Sequence, residues 1–190
     1  MLTERIMGAF TFRKGIYAEV EQDTSFTSTA WILVVVVAFL NQLGTNASGD
    51  IANWLVSAVV GTVFTVIGFA VGAFVISWVG KTFFTADVTF EEMVRTLGLA
   101  YVWNVVGVIG VLSAISGALS CLTAPVLIVA WIATVVAWFI AAKEALDLEW
   151  GQTILTVILG WIALFLITLL SGLVLGIMGF GAAAMGGLFN

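Results

Sequence analysis

Apolar residues run through the chain in five long stretches divided by short polar breaks. The first, residues 26–44, is built on Trp31-Ile32-Leu33-Val34-Val35-Val36-Val37-Ala38-Phe39-Leu40, and Thr45-Asn46-Ala47-Ser48-Gly49-Asp50 closes it with turn formers. The second covers residues 51–80. Trp54 and Trp78 lie about 36 Å apart along its axis, which suits aromatic anchors at two membrane interfaces. Residues 81–88 form a polar connection. Thr89-Phe90-Glu91-Glu92 then reads as a capping box, with Glu91 and Arg95 an i,i+4 pair behind it. The third stretch, residues 93–120, contains Asn104, Gly107 and Gly110, which mark a kink or break. A turn at residues 121–124 places Pro125 in the first turn of a fourth stretch, 125–146. Asp147-Leu148-Glu149-Trp150-Gly151 links it to a fifth, 152–178, and an uncharged Gly/Ala-rich tail follows.

A spanning helix needs about 20 apolar residues. The pattern therefore predicts an all-α fold, a polytopic bundle of five transmembrane helices over residues 26–190. Residues 1–25 precede it. Leu2, Ile6, Met7 and Phe10 recur at helical spacing there, and Ile16, Tyr17 and Val20 restart the pattern after Arg13-Lys14-Gly15. This reads as one or two amphipathic helices in the membrane interface, against the alternative of a disordered polar tail.

Composition changes the picture in two ways. Hydrophobic residues make up 62% of the 190-residue chain and charged residues 9%, against about 25% charged in soluble domains. Lipid must be the solvent for most of the chain. The six basic residues then orient it. Arg5, Arg13 and Lys14 precede the first span, Lys81 and Arg95 lie between the second and third, and Lys143 ends the fourth. All fall on one side of an alternating five-span chain, which predicts N-in, C-out. The multi-pass reading places the chain in the cell membrane. No secretory signal is visible, and net charge −5 argues against nucleic acid.

Candidate chemistry is sparse. His is absent, and the one Cys, Cys121, excludes an internal disulfide. No span carries a central Asp or Glu, Asp50 has no acidic partner, and Ser116 has no His to act as its base, so no catalytic, metal or cofactor site is expected. Asn104 is the candidate intramembrane polar site: its amide either bonds to a neighbouring helix or a broken backbone, or lines a small path. Ser113, Ser116 and Ser120 are expected to bond to their own helix backbone. Lys143, Glu144 and Asp147 form the densest charge cluster beside a span, either a solvated helix end or a cytosolic docking point. Gly68-x-x-x-Gly72, extended by Gly61, and Gly172-x-x-x-Gly176 are expected to pack helices closely.

Three stretches carry a family resemblance. They are Leu2-Thr3-Glu4-Arg5-Ile6 through Tyr17-Ala18-Glu19-Val20-Glu21, then Val79-Gly80-Lys81 with Thr89-Phe90-Glu91-Glu92 through Leu97-Gly98-Leu99-Ala100, and last Ala142-Lys143-Glu144-Ala145-Leu146-Asp147-Leu148. By order and spacing the chain resembles the Yip-domain family of Ypt/Rab-interacting membrane proteins, in its short prokaryotic form. The resemblance implies a five-helix domain with a cytosolic N-terminus and no catalytic residues or cofactors to carry across. Eukaryotic relatives are linked to Rab-type GTPases. This chain has only about 25 polar residues before its first span instead of a long cytosolic region, so a GTPase partner is not carried over.

The expected function is a non-enzymatic scaffold that recruits partners or organises the membrane. Its partners are the lipid bilayer and other membrane proteins or a second copy of the chain. The alternative is a small transporter or channel with a polar path near Asn104.

Overall fold

The computed structural model describes residues 1–177. The expected end of the fifth span at residue 178 and the Gly/Ala-rich tail lie outside them. Most of the described residues are helical, and they include five helices long and apolar enough to cross a membrane.

Two short helices come first, α1 (Leu2–Phe10) and α2 (Ile16–Gln22). Gly15 turns the chain between them at φ 77°, a left-handed conformation open to glycine at no steric cost. The long helices α3 (Phe26–Thr45) and α4 (Ile51–Phe84) form a hairpin. Asp50 caps α4 by accepting from the amides of Ala52 and Asn53 at 3.1 and 3.2 Å. Trp54 ties the hairpin by donating its indole N–H to the Leu43 carbonyl at 2.8 Å. The 34 residues of α4 reach about 51 Å, longer than the roughly 30 Å hydrocarbon layer, so α4 tilts or projects beyond it.

The third long segment begins as α5 (Phe90–Ala100) on the expected capping box. Thr89 Oγ1 accepts from the Glu92 amide at 3.2 Å, and the Glu92 carboxylate accepts from the Thr89 amide at 2.6 Å. At Tyr101 the helix tightens into a 3₁₀ segment that continues to Gly110, then ends as α6 (Val111–Ile115). Runs of this length are uncommon, because 3₁₀ bonds have poorer geometry. Here the sequence disfavours the α form: two glycines alternate with a crowd of β-branched residues. The rise of about 2.0 Å per residue also lengthens the segment by about 5 Å over an α-helix.

The turn into the fourth helix falls at Ser116, where the backbone is extended, and not at residues 121–124. Helix α7 (Ser120–Leu146) therefore begins before Pro125 and contains it. A proline this near the start of a helix removes one hydrogen bond, from the Cys121 carbonyl, at modest cost. Ser113 meets the Thr123 hydroxyl across this turn at 2.9 Å instead of bonding to its own helix. Helix α8 (Trp150–Ile177) completes the bundle.

The third segment lies in the middle, against α3, α4 and α7, while α4 pairs with α8. Packing, rather than expulsion of water, holds helices together in lipid. Phe69 is the hub of the core. It is fully buried and meets Trp31, Tyr101 and Trp138 edge-on, with ring centroids 5.7–6.1 Å apart.

Candidate functional site

Two regions of the bundle collect polar chemistry. The first is the end where α2 sits. Seven residues are too few to hold a helix in water, yet Ile16, Tyr17 and Val20 of α2 are buried against α5 and α7. Both ends of α2 are held by distant side chains. At its start the Glu144 carboxylate accepts from the Ala18 amide at 3.0 Å. At its end Arg95, only 4% exposed, reads the last carbonyls. Its Nε donates to Val20 O at 3.1 Å and Glu21 O at 2.9 Å, its Nη2 donates to Glu21 O, and its Nη1 donates to Thr27 Oγ1 at 3.0 Å. The pairing matches the helix dipole, anion at the N-terminus and cation at the C-terminus, and satisfies backbone groups that a helix end leaves free.

Arg95 thus turns inward. The expected pairing with Glu91 does not form; the nearest carboxylate is Glu92, at 3.9 Å. Three directional acceptors on α2 and α3 outweigh one solvent-screened neighbour. Buried beside this clamp, the Tyr17 hydroxyl has no hydrogen-bond partner. Burial, and then the Glu144 charge, push its pKa up. Helix α1 lies across the central segment. Trp103 donates to Ala9 O at 3.3 Å, and Phe10 and Phe12 pack on its ring.

The second region surrounds Asn104. Asn41 of α3 donates to the Asn104 backbone carbonyl at 2.8 Å, and the Asn104 amide donates to Tyr101 O within its own 3₁₀ segment at 3.2 Å. Gln42 donates to Thr65 of α4 at 2.9 Å. Close approach makes these bonds possible: a Cβ on Gly107 would clash with the Asn41 amide, and one on Gly44 with the Gly107 carbonyl. Two clefts flank Asn104, one of about 340 Å³ against α3 and one of about 260 Å³ against α4 and α8.

Comparison with known families places this geometry. The Yip1 domain matches residues 7–173. The chain belongs to the Yip1 domain family. Comparison with curated proteins and with solved structures gives no match. The Yip1 match takes in the clamp, the clefts and most of α8, and together with the five apolar helices it makes the chain a multi-pass membrane protein.

Within this Yip1 bundle the expected site residues divide. Lys143 and Glu144 are engaged internally: Lys143 donates to Leu148 O at 3.2 Å and lies over the Trp150 ring, while Glu144 holds α2. Asp147 is exposed and ends α7 in a left-handed turn at φ 49°. Gly61 lies against Gln42, and Gly68 and Gly72 lie against α8 at Leu164, Ile167 and Gly160. Gly172 and Gly176 have no described neighbour within 4 Å of an added Cβ. Sequence reasoning missed Asn41, Gln42 and Arg95 as binding groups. Adjacent amides inside the first apolar stretch were the available signal for two of them. Among the described residues no three His, Cys, Asp or Glu side chains converge to hold a metal.

Proposed function

We propose that this Yip1 protein is a non-enzymatic scaffold that recruits membrane partners on its cytosolic face. The observation that carries the reading is the clamped α2. Buried Arg95 and half-buried Glu144 fix a short helix as a rigid platform, and its outer residues Glu19 and Gln22 are exposed, as is Lys14 in the turn before it. Ordering a surface before a partner arrives removes that entropy cost from binding. The positive-inside rule supports an N-in chain in the cell membrane, with the platform in the cytosol.

Photo-crosslinkers at Lys14 and Gln22 should give discrete protein adducts in native membranes, and Arg95→Met should abolish them. Adducts that are the same from lipid-facing Leu166, or that survive Arg95→Met unchanged, would reject the platform. Orientation is tested in parallel: cysteines at Lys14 and Thr85 should label from the cytosol and one at Ser48 from outside. Labelling of Lys14 and Ser48 from one side would reject the five-span topology.

The clefts beside Asn104 favour a second reading, a small-solute path. Solute or proton flux in reconstituted vesicles, lost on Asn104→Leu, would place it ahead of the scaffold.

A further inference from the structure

The third segment is anchored at one end. Eight consecutive residues of α5, Met93 to Ala100, are buried, and Arg95 and the Thr89–Glu92 capping box pin its start. Beyond the 3₁₀ run this hold is lost. Neither α6 nor the turn Gly117–Leu119 contains a buried residue. Among the described residues one side-chain bond, Ser113 to Thr123 at 2.9 Å, ties this end to α7.

Between the two ends the chain lies close to the α form. Tyr101 has ψ −17° and Gly110 ψ −25°, about 15–25° from an α-helix and inside the same allowed region. At Val111 ψ is −35° and the helix is α again. Poorer hydrogen bonds weigh against the 3₁₀ form, and glycine with β-branched neighbours weighs against the α form. Contact with α3 tips this balance. Asn41 donates to the Asn104 carbonyl at 2.8 Å. A Cβ on Gly107 would clash with the Asn41 side chain, and one on Gly110 would lie 2.7 Å from the Gly44 carbonyl oxygen. Asn104, Gly107 and Gly110 are spaced by three, the repeat of a 3₁₀ helix, so all three share the edge that faces α3. In an α-helix each step of three falls about 60° short of a full turn, and Gly110 would point about 120° away from Asn104. The clefts of about 340 and 260 Å³ border Tyr101, Asn104, Gly107 and Gly110, and leave room for the wider α turn.

We propose that Tyr101–Gly110 is a conformational switch, 3₁₀ while α3 holds its Asn104–Gly107–Gly110 edge and α-helical when the last turn of α3 withdraws. Ten residues, each rising about 0.5 Å less, shorten the segment by about 5 Å. Because α5 is pinned, the shortening draws α6 and the Ser116 turn toward the α2 end. Helix α3 follows α2 after residues 23–25, so the Ser116 turn reports how α3 sits. The switch is a movement within the chain and is independent of the scaffold reading.

The test measures distances by electron paramagnetic resonance on the full chain in phosphatidylcholine nanodiscs, with Cys121→Ser to leave the labelled cysteines alone. Spin labels at Glu91 and Ser116, both exposed, span the segment, and labels at Ser48 and Thr85 span α4 as the reference. The Glu91–Ser116 distance should have a long component and one about 5 Å shorter. Asn41→Leu removes the bond to the Asn104 carbonyl and should raise the ratio of short to long about tenfold, the value of one hydrogen bond. Gly110→Ala acts on a different contact, the Gly44 carbonyl, and should raise the ratio in the same direction, so the proposal stays testable if one variant misfolds. The Ser48–Thr85 distance should stay fixed throughout. A single, unmoved Glu91–Ser116 distance in wild type and in the variants would overturn the switch. A shift of equal size in the reference pair would also overturn it, because the whole bundle would then have loosened.

Discussion

The α2 clamp and the Asn104 region are both polar insertions in an apolar bundle, but they use polarity in opposite ways. At the clamp, full charges meet backbone groups that a short helix leaves free, and each of the three Arg95 nitrogens finds an acceptor. At Asn104, neutral amides and hydroxyls stitch glycine-paved helices together, and an indole N–H remains over. The difference follows from the groups to be satisfied. The free amides and carbonyls at the ends of a short helix are met by charge, whereas long helices that satisfy their own backbone are joined by neutral amides and hydroxyls. The clamp fixes a peripheral helix, and the Asn104 region joins the spanning ones.

The sharpest way to break the comparison is Arg95→Met. It strands the Val20 and Glu21 carbonyls and removes the C-terminal hold on α2, a loss of about 2–4 kcal/mol on the scale of buried hydrogen-bonded charges. Residues 1–25 should become sensitive to protease while α4 and α8 keep their contacts, read by limited proteolysis and hydrogen exchange. Arg95→Lys should recover only part of the loss, because an ammonium lacks the planar fork. Equal protection of residues 1–25 in all three proteins would show that α2 is held by packing alone.

Next in size is Gly107→Ala. The added methyl meets the Asn41 side-chain amide, which must swing away and give up its bond to the Asn104 carbonyl, at about 1–2 kcal/mol. Gly172→Ala is the matched control. With no described neighbour within 4 Å, it should be neutral or slightly stabilising by helix propensity. Thermal unfolding of both variants in one detergent decides it: equal midpoints would deny any close crossing at Gly107.

These two sites also show what the sequence could and could not reveal. Five apolar stretches, the capping box at Thr89 and the polar punctuation of the third segment are local signals, and the helices follow them. The clamp is not local. Ala18 and Glu144 are 126 positions apart, and Arg95 reaches Val20 across 75. Within its own helix Arg95 has a plausible i,i+4 partner in Glu91, so local spacing pointed to the wrong neighbour. Pro125 misled similarly: prolines favour first turns, but an exposed, extended Ser116 had already turned the chain. Asn41 and Gln42 lie in the last turn before a polar break, and the approach of Gly107 and Gly61 makes them interhelical.

A finer comparison separates two asparagines. Asn41→Leu deletes an interhelical donor and leaves the Asn104 carbonyl short of a partner, which should cost about 1–2 kcal/mol. Asn104→Leu leaves that carbonyl and its bond to Asn41 in place and removes only a bond within one segment. It should cost less than about 1 kcal/mol. Reversal of the order would show that the Asn104 side chain, and not its backbone, joins the helices.

The smallest effect concerns pH and belongs to the clamp alone. Burial raises the Glu21 pKa above its ordinary 4.5, and the charges of Asp147, Glu92 and Glu144 add to the rise while Arg95 opposes it. The folded state therefore holds this proton at pH values where the unfolded chain has released it. Stability from Glu21 is full below 4.5 and is lost as pH rises through the folded value. Glu4 and Asp23 act in the opposite sense. The N-terminal ammonium beside Glu4, and Ser25 and then Arg5 beside Asp23, lower their pKa values, so their contribution is lost as pH falls. A whole-protein pH curve mixes the two, and a difference between variants isolates Glu21. At neutral pH Glu21→Gln should protect α2 slightly better than wild type, because it removes a charge from among three carboxylates. That advantage should shrink as pH falls toward 4.5, where wild-type Glu21 is itself becoming neutral. Hydrogen exchange at Val20 and Glu21, followed from pH 7 downward as a ratio of variant to wild type, reads this directly. A ratio that stays flat would mean that Glu21 faces open water, and that the clamp's carboxylates do not share one environment.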